Sequence, residues 1–202
     1  MNLFNKLKKV AGIHQAETAQ NSQSKNYVIL QDDPNDVVFA KKLIQNNGIF
    51  FYCDKKDNLI QIIQALSKKL NIENIYCIEP LLKDLLSSAL INYKDSDCLN
   101  CHAVLSSCEY LIANQGKIML SSKQLASNDI NNLPKEHIVI AYTSQIVRNL
   151  NEAMSGVNTR YIDNLPSTIT TITGNIKNHS ITEGNVKNLS VILIEDFEEK
   201  IK

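Results

Sequence analysis

The sequence predicts an α/β fold: an open, mainly parallel sheet with helices on both faces and a β-hairpin in the second half. In the first half, apolar runs of strand length alternate with amphipathic helical segments. Parallel strands joined by helical crossovers show this alternation. In the second half, two short apolar runs flank a turn that contains Gly116, which is typical of a hairpin.

Length and charge limit the classes of function. The chain has 202 residues, with Lys plus Arg and Asp plus Glu balanced at 21 each. A nucleic-acid binder normally carries a basic excess, so we expect no nucleic-acid partner. The sequence contains no apolar run of the roughly 18 residues that a membrane-spanning helix needs. Its start lacks the apolar core of a secretory signal, so we expect no transmembrane segment and a cytoplasmic location.

Two regions differ in composition. Residues 1–26 are predicted to form a short amphipathic segment and a flexible linker, and residues 27–202 one α/β domain. The apolar residues of Met1–Val10 fall on one helical stripe beside three lysines. This pattern is typical of a packed terminal helix, with weak contact to a membrane surface or a partner as the alternative. His14–Lys25 is polar and without aromatic residues, as linkers are.

The predicted elements follow from local periodicity and from turn residues. In the first half these are a helix that opens at Asp33–Asp36 and ends at Asn46–Gly48, a strand at Ile49–Cys53, a helical stripe over Leu59–Leu70, a strand at Asn74–Ile78 and a helix that starts at Pro80. In the second half they are a hairpin around Asn114–Gly116, buried strands at His137–Tyr142 and Leu189–Ile194, a helix from about Ser144 to Ser155 stopped by Gly156, and a half-exposed strand at Thr168–Thr173.

Five cysteines lie at positions 53, 77, 98, 101 and 108. An odd number without a secretory signal favours free thiols over a disulfide framework. The string Cys98-Leu99-Asn100-Cys101-His102 spells the haem-attachment pattern, and Cys108 adds a fourth potential zinc ligand. Haem attachment requires export, and structural zinc sites usually pair two spaced clusters. We therefore predict no metal site and interpret the string as a chance match, with a metal or redox site as the alternative.

The second half resembles the LUD domain of lactate-utilisation protein C-like proteins, with similarity over roughly residues 35–196. The entry to the buried strand, Leu133-Pro134 followed by His137-Ile138-Val139, has the family's form. The hairpin reads Ala113-Asn114-Gln115-Gly116-Lys117 where the family has Ala, an acid, Thr, Gly and a hydroxyl residue. The family's third motif starts at Gly174 in this chain, and Gly174 and Lys177 are the positions that match it.

This resemblance implies a fold of the NagB/RpiA/CoA-transferase-like class, with residues 27–202 as a LUD-like domain. It also implies a role beside iron–sulfur oxidoreductase subunits that convert L-lactate to pyruvate. The chain lacks the cysteine runs that would bind a cluster,, so it resembles the non-redox accessory subunit. The alternative is a small-molecule enzyme or sensor that binds a small anionic ligand: a carboxylate, a sugar phosphate or a CoA ester.

The candidate ligand-binding residues are those of the two glycine-bearing turns and one histidine: Asn114, Gln115, Gly116, His137, Gly174 and Lys177. Glycine lets the backbone approach a ligand, and a lysine can meet a carboxylate or phosphate. An imidazole can act as acid, base or donor. The alternative interpretation is that the glycines serve turns, the lysine is solvated and the histidine lies in the core. Glu109 precedes the hairpin, but nothing in the sequence assigns it a catalytic role, and no dinucleotide or phosphate loop occurs, so we expect no cofactor.

Overall fold

A computed structural model describes residues 27–53, 56–175 and 185–195. The predicted segment 1–26 and the candidate Lys177 therefore lie outside the described residues. The helices are α1 (Asn35–Gln45), α2 (Lys56–Lys69), α3 (Pro80–Ser88), α4 (Ser122–Leu125) and α5 (Leu150–Arg160). The strands are β1 (Ile49–Cys53), β2 (Ile75–Tyr76), β3 (Tyr93–Lys94), β4 (Ala103–Ser106), β5 (Tyr110–Ile112), β6 (Lys117–Ser121), β7 (Glu136–Tyr142), β8 (Ile146–Val147), β9 (Ile169–Ile172) and β10 (Asn188–Ile194).

The larger sheet has six strands in the order β1-β10-β7-β4-β2-β3, and every pair in it is parallel. Its central strands β7 and β10 are continuous apolar runs because both of their faces are covered,. They pair over seven residues, from Asn188 opposite Glu136 to Ile194 opposite Tyr142. The predicted open parallel sheet is confirmed.

Alternate residues of the sheet enter two separate cores. Ile138, Ile140 and Ile192 pack with α2 and α3 on one face. Val139 and Val191 point to the other face, where α1 and the smaller sheet cover them. Helices thus lie on both faces, and the second face is shared between one helix and a second sheet.

The smaller sheet has the order β8-β5-β6-β9 and contains the predicted hairpin. Strands β5 and β6 are antiparallel, with Tyr110 opposite Met119. One face of this sheet contacts the larger sheet, and α5 covers the other through Ala153 and Val157. No helix among the described residues is long and apolar enough to cross a membrane.

The predicted helix from Ser144 to Ser155 is wrong. Residues Thr143–Gln145 form a single 3-10 turn and Ile146–Val147 pair with β5. The helix begins only after Asn149, whose side-chain oxygen accepts the Glu152 N–H (3.0 Å) as an N-cap,. Gly156 lies inside this helix. A Cβ at this position would come within 2.2 Å of the Tyr110 hydroxyl oxygen. Its absent side chain makes room for Tyr110, so the glycine is a packing device and does not end the helix.

Replacing Gly156 by alanine tests this packing. In an open helix the change stabilises by up to about 1 kcal/mol through helix propensity. Here we expect the free energy of unfolding to fall by about 2 kcal/mol, because the added methyl group overpacks against Tyr110. Urea denaturation measures it, with Ser155→Ala on the exposed neighbouring position as the control. Adding Tyr110→Phe to Gly156→Ala should recover part of the loss, and a stabilised Gly156→Ala protein would contradict the contact.

Candidate functional site

The carboxyl edge of the larger sheet offers two crevices. In open α/β sheets, ligands bind at this edge where neighbouring strands lead to opposite faces. Here β1 and β2 lead to α2 and α3 on one face, whereas β4 and β7 lead to the smaller sheet on the other. One crevice therefore lies between β2 and β4. The other lies around the end of β10, between β7 and β1.

The first crevice is bridged by Glu79 and Ser107. The Glu79 carboxylate follows β2 and accepts the Ser107 N–H (2.7 Å) and the Ser107 hydroxyl (2.5 Å) after β4. Burial raises the pKa of Glu79, the two hydrogen bonds lower it and the nearby Glu109 carboxylate raises it further. A carboxylate bonded to a hydroxyl is the pairing of a base with a nucleophile. In this position it also ties two neighbouring strands together.

The second crevice contains a cavity of about 250 Å³. It is lined by Asn35, Asp36, Thr143, Ile146 and Glu195. The described lining includes two carboxylates and no basic side chain. Like charges repel more strongly where water is partly excluded, so this cavity disfavours an anionic ligand. Its hydrogen-bonding groups suit a hydroxylated or cationic small molecule.

Glu109 lies at the centre of a buried polar cluster. Its side chain is fully buried and accepts hydrogen bonds on both oxygens. Ser121 and Gln124 donate to Oε1 (2.7 and 3.1 Å), and Tyr161 reaches both oxygens at 3.2 Å. The Arg160 guanidinium makes an ion pair with Oε2 (2.9 Å).

This arrangement makes Glu109 a structural anchor. A buried carboxylate is tolerated when it is paired and when its remaining lone pairs are hydrogen-bonded. The cluster joins the start of β5 to the end of β6 and to the end of α5. Because the ion-pair partner Arg160 lies 51 residues away in the sequence, sequence inspection could note Glu109 but could not supply its partners.

His137 is buried at the amino end of β7. Its Nε2 lies 2.8 Å from the Ser106 hydroxyl, and its Nδ1 has no hydrogen-bond partner among the described residues. Burial, together with the positive charge of Lys187, lowers the pKa of His137 to about 3. The imidazole is therefore neutral in the folded chain at any ordinary pH.

The predicted turn Asn114–Gly116 packs against the end of α1. The Asn46 side-chain amide donates to the carbonyl oxygens of Gln115 (3.0 Å) and Gly116 (3.5 Å). Gly116 has a φ of +60°, and a Cβ there would come within 2.7 Å of the Lys42 carbonyl carbon. Glycine is required at this position by both conformation and space.

Gly174 meets the same asparagine from the other side. A Cβ at Gly174 would lie 2.0 Å from the Asn46 carbonyl oxygen. The structure thus brings Gly174 and the turn Asn114–Gly116 together, at the amino edge of the larger sheet, where β1 begins. His137 lies on β7 and bonds Ser106 instead. This edge is opposite to the carboxyl edge at which open α/β sheets bind ligands.

The residues of the carboxyl edge were not singled out from the sequence. Glu79 and Glu195 each come at or just after the end of a buried apolar run, which is the signal that could have found them. Asp36 lies in the segment at which the sequence predicts the opening of α1. That these groups line two crevices follows from the strand order, which the sequence does not reveal.

The neutral state of His137 predicts a pH dependence of stability. An unfolded histidine has a pKa of about 6.5, so below that pH the unfolded chain binds a proton that the folded chain does not. The free energy of unfolding then falls as pH falls, by about 1.4 kcal/mol per pH unit, until pH approaches 3. Between pH 6.5 and 4.5 the wild-type chain should lose about 2 kcal/mol more than His137→Gln, measured by urea denaturation at each pH. The other histidines and the carboxylates are common to both proteins, and equal slopes would mean that the folded imidazole takes up the proton.

Comparison with known proteins places the fold. A crystal structure of a DUF162 family protein from Deinococcus radiodurans is similar to this chain, with a TM-score of 0.58 at 16% sequence identity. The likeness covers 79% of this chain and 96% of that one. At this identity the likeness shows the fold alone. Among curated proteins, none matches the sequence significantly.

A family model confirms the resemblance found in the sequence. The model of the LUD domain matches residues 81–194. This span is more than half of the 202 residues. It includes β4, the hairpin β5–β6, and the buried strands β7 and β10. The chain belongs to the LUD domain family.

Proposed function

We propose that this LUD-domain chain is a non-redox accessory subunit of a set of proteins that oxidises L-lactate to pyruvate. Its expected partners are iron–sulfur oxidoreductase subunits, which would carry the electrons, while this chain contributes protein contacts. Membership of the LUD family supports the proposal, since the resemblance links this domain to lactate utilisation.

One observation carries the accessory role over a catalytic one. The hairpin turn that matches the family's motif has Asn114 and Gln115 at its exposed positions, so that an amide replaces the acid of the family's motif. Asn46 binds the backbone oxygens of this turn and α1 packs on Gly116. General acid–base chemistry needs a titratable group in reach of the substrate. The turn is built for packing, which favours action through partner proteins.

The proposal predicts a growth phenotype in the source organism. Deleting the gene should abolish growth on L-lactate as the carbon source and leave growth on pyruvate unchanged. Pyruvate enters after the oxidation step, so it is the internal control. Undiminished growth of the deletion strain on L-lactate would overturn the role in lactate oxidation.

The predicted iron–sulfur partners are tested by a separate measurement. Tagged chain purified from lactate-grown cells should bring down iron–sulfur protein, identified by mass spectrometry and by the electron paramagnetic resonance signal of the reduced cluster. The same purification from the strain grown on pyruvate is the comparison. If the deletion strain fails to grow on L-lactate but no iron–sulfur protein copurifies with the chain, the role in lactate oxidation stands and the proposed partners are wrong.

A second candidate function is a small-molecule enzyme or sensor of the NagB/RpiA/CoA-transferase-like class. The cavity at the end of β10 favours it, because it lies where open α/β sheets bind ligands. The carboxylates of Asp36 and Glu195 assign a hydroxylated or cationic ligand to this cavity. A carboxylate, sugar phosphate or CoA ester would instead need the amino-edge turns at Gly116 and Gly174, with the sequence candidate Lys177 as its cation.

A thermal-shift panel of ligands distinguishes binding in the cavity at the end of β10 from binding at the amino-edge turns. A ligand at about a hundred times its dissociation constant adds roughly 2.7 kcal/mol, which raises the midpoint by a few degrees for a chain of this size. A shift by a neutral polyol or an amine should vanish in Glu195→Gln and persist in Lys177→Ala. A shift by an anionic ligand should do the reverse. Glu73→Gln, an exposed acid elsewhere, is the matched control, and a flat panel on the wild-type chain would reject this second function.

A further inference from the structure

Cys98 and Cys101 lie at the two ends of a single tight turn. Residues Cys98–Asn100 form a 3-10 helix, and the Cys101 N–H donates to the Cys98 carbonyl oxygen (3.2 Å). Cys101 follows this helix in an extended conformation. A turn closed by such a hydrogen bond places its first and fourth Cα atoms less than about 7 Å apart. That separation is within the range that a disulfide spans.

Both thiols point inward just below the surface. Cys98 and Cys101 belong to the same buried apolar cluster, together with Tyr76. The residues that alternate with them face solvent: the Leu99 side chain is 74% exposed and His102 is exposed. This single turn therefore separates the two neighbouring thiols from solvent. Local opening of the turn would give a small reagent access to both thiols.

The pair is not part of a metal centre with its neighbours. Within the described ranges, no group of three or more His, Cys, Asp or Glu side chains is arranged to hold a metal ion. Cys108, the fourth residue of the motif weighed from the sequence, lies beyond the carboxyl end of β4. Cys98 and Cys101 precede the amino end of the same strand. The two cysteines are left as a pair, which is the arrangement of a dithiol.

We propose that Cys98 and Cys101 are a redox-active dithiol that closes to an intrachain disulfide on reaction with a low-molecular-weight disulfide such as oxidised glutathione. The Cys98 thiolate attacks one sulfur of the reagent and forms a mixed disulfide with it, while the S–S bond of the reagent breaks and its other half leaves as a thiol that takes up the Cys98 proton. The Cys101 thiolate then attacks the Cys98 sulfur and releases the second thiol. The protein loses two hydrogen atoms and the reagent gains them. Burial raises the pKa of Cys101 and so lowers its thiolate fraction, and the second step therefore depends on the closeness of Cys101 to the mixed disulfide.

Oxidation of the two thiols would change the contacts of residues 126–133. The Cys98 thiol donates to the Asn128 side-chain oxygen (3.7 Å) and to the Asn132 carbonyl oxygen (3.9 Å). A disulfide has no S–H, so both contacts are lost when it forms. Asn128 also donates to the Tyr76 hydroxyl (2.6 Å), so its displacement would reach β2. The expected result is a looser 126–133 segment over an unchanged sheet.

Disulfide mapping on the full-length chain tests the proposal. The protein is equilibrated in glutathione buffers from fully reduced to fully oxidised, alkylated and digested after lysine and arginine. Free thiols should fall from five to three. Cleavage after Lys94 and Lys117 yields one peptide that contains Cys98, Cys101 and Cys108. We expect it to carry one alkyl group, on Cys108, to be lighter by two hydrogens than the same peptide with free Cys98 and Cys101 thiols, and to resist fragmentation between these two cysteines.

Three variants and a second readout sharpen the test. Cys98→Ser and Cys101→Ser should each prevent the loss of two hydrogens, whereas Cys108→Ala, in the same peptide, should not. Hydrogen exchange in 126–133 should become at least several-fold faster in the oxidised wild-type chain. Five free thiols in oxidised glutathione, a persistent mixed disulfide or a bond to Cys108 would each overturn the proposal. The mapping on the wild-type chain decides it even if a serine variant fails to fold.

Discussion

Strand β10, the last strand among the described residues, completes the middle of the larger sheet, and the rest of the fold depends on this placement. Strand β10 pairs with β1 on one side and with β7 on the other. Without it, β1 has no neighbour in the sheet, and α1 has no continuous surface to cover. Pairing between elements so distant in sequence carries a loop-closure cost. The seven-residue register with β7 and the complete burial of Val191 and Ile192 offset that cost.

The smaller sheet is fixed by polar interactions in addition to its apolar core. Glu109 gathers two hydrogen bonds from the end of β6 and the start of α4, and an ion pair from the end of α5. A charge held in this way is costly to bury and costly to disturb, because each donor would be left unsatisfied if the carboxylate moved. The helix α5 is therefore held at one particular orientation over β5. Gly156 permits this orientation by giving the Tyr110 hydroxyl the space that a side chain would take.

The two edges of the larger sheet have different chemistry. At the amino edge, Asn46 binds the hairpin turn and lies against Gly174, so the glycines of this region are explained by close packing. At the carboxyl edge, Glu79 bridges one crevice and Glu195 lines the other. Among the described residues, both crevices at the edge that open α/β sheets use for ligands thus carry carboxylates. An accessory role is compatible with both edges, whereas the carboxylates of the cavity disfavour an anionic ligand there.

The sequence by itself determined the alternating elements of the first half, the hairpin, the buried strands and the LUD family. These features rest on local periodicity and local motifs, which neighbouring residues encode. It misplaced the helix after Thr143, because Ile146 and Val147 are bound by β5 rather than by their own segment. Only the tertiary structure decided the strand order, and with it which polar residues share an edge. Partners such as Arg160 for Glu109, or Asn46 for Gly174, are selected by contact across the fold, and no local pattern in a single sequence records that contact.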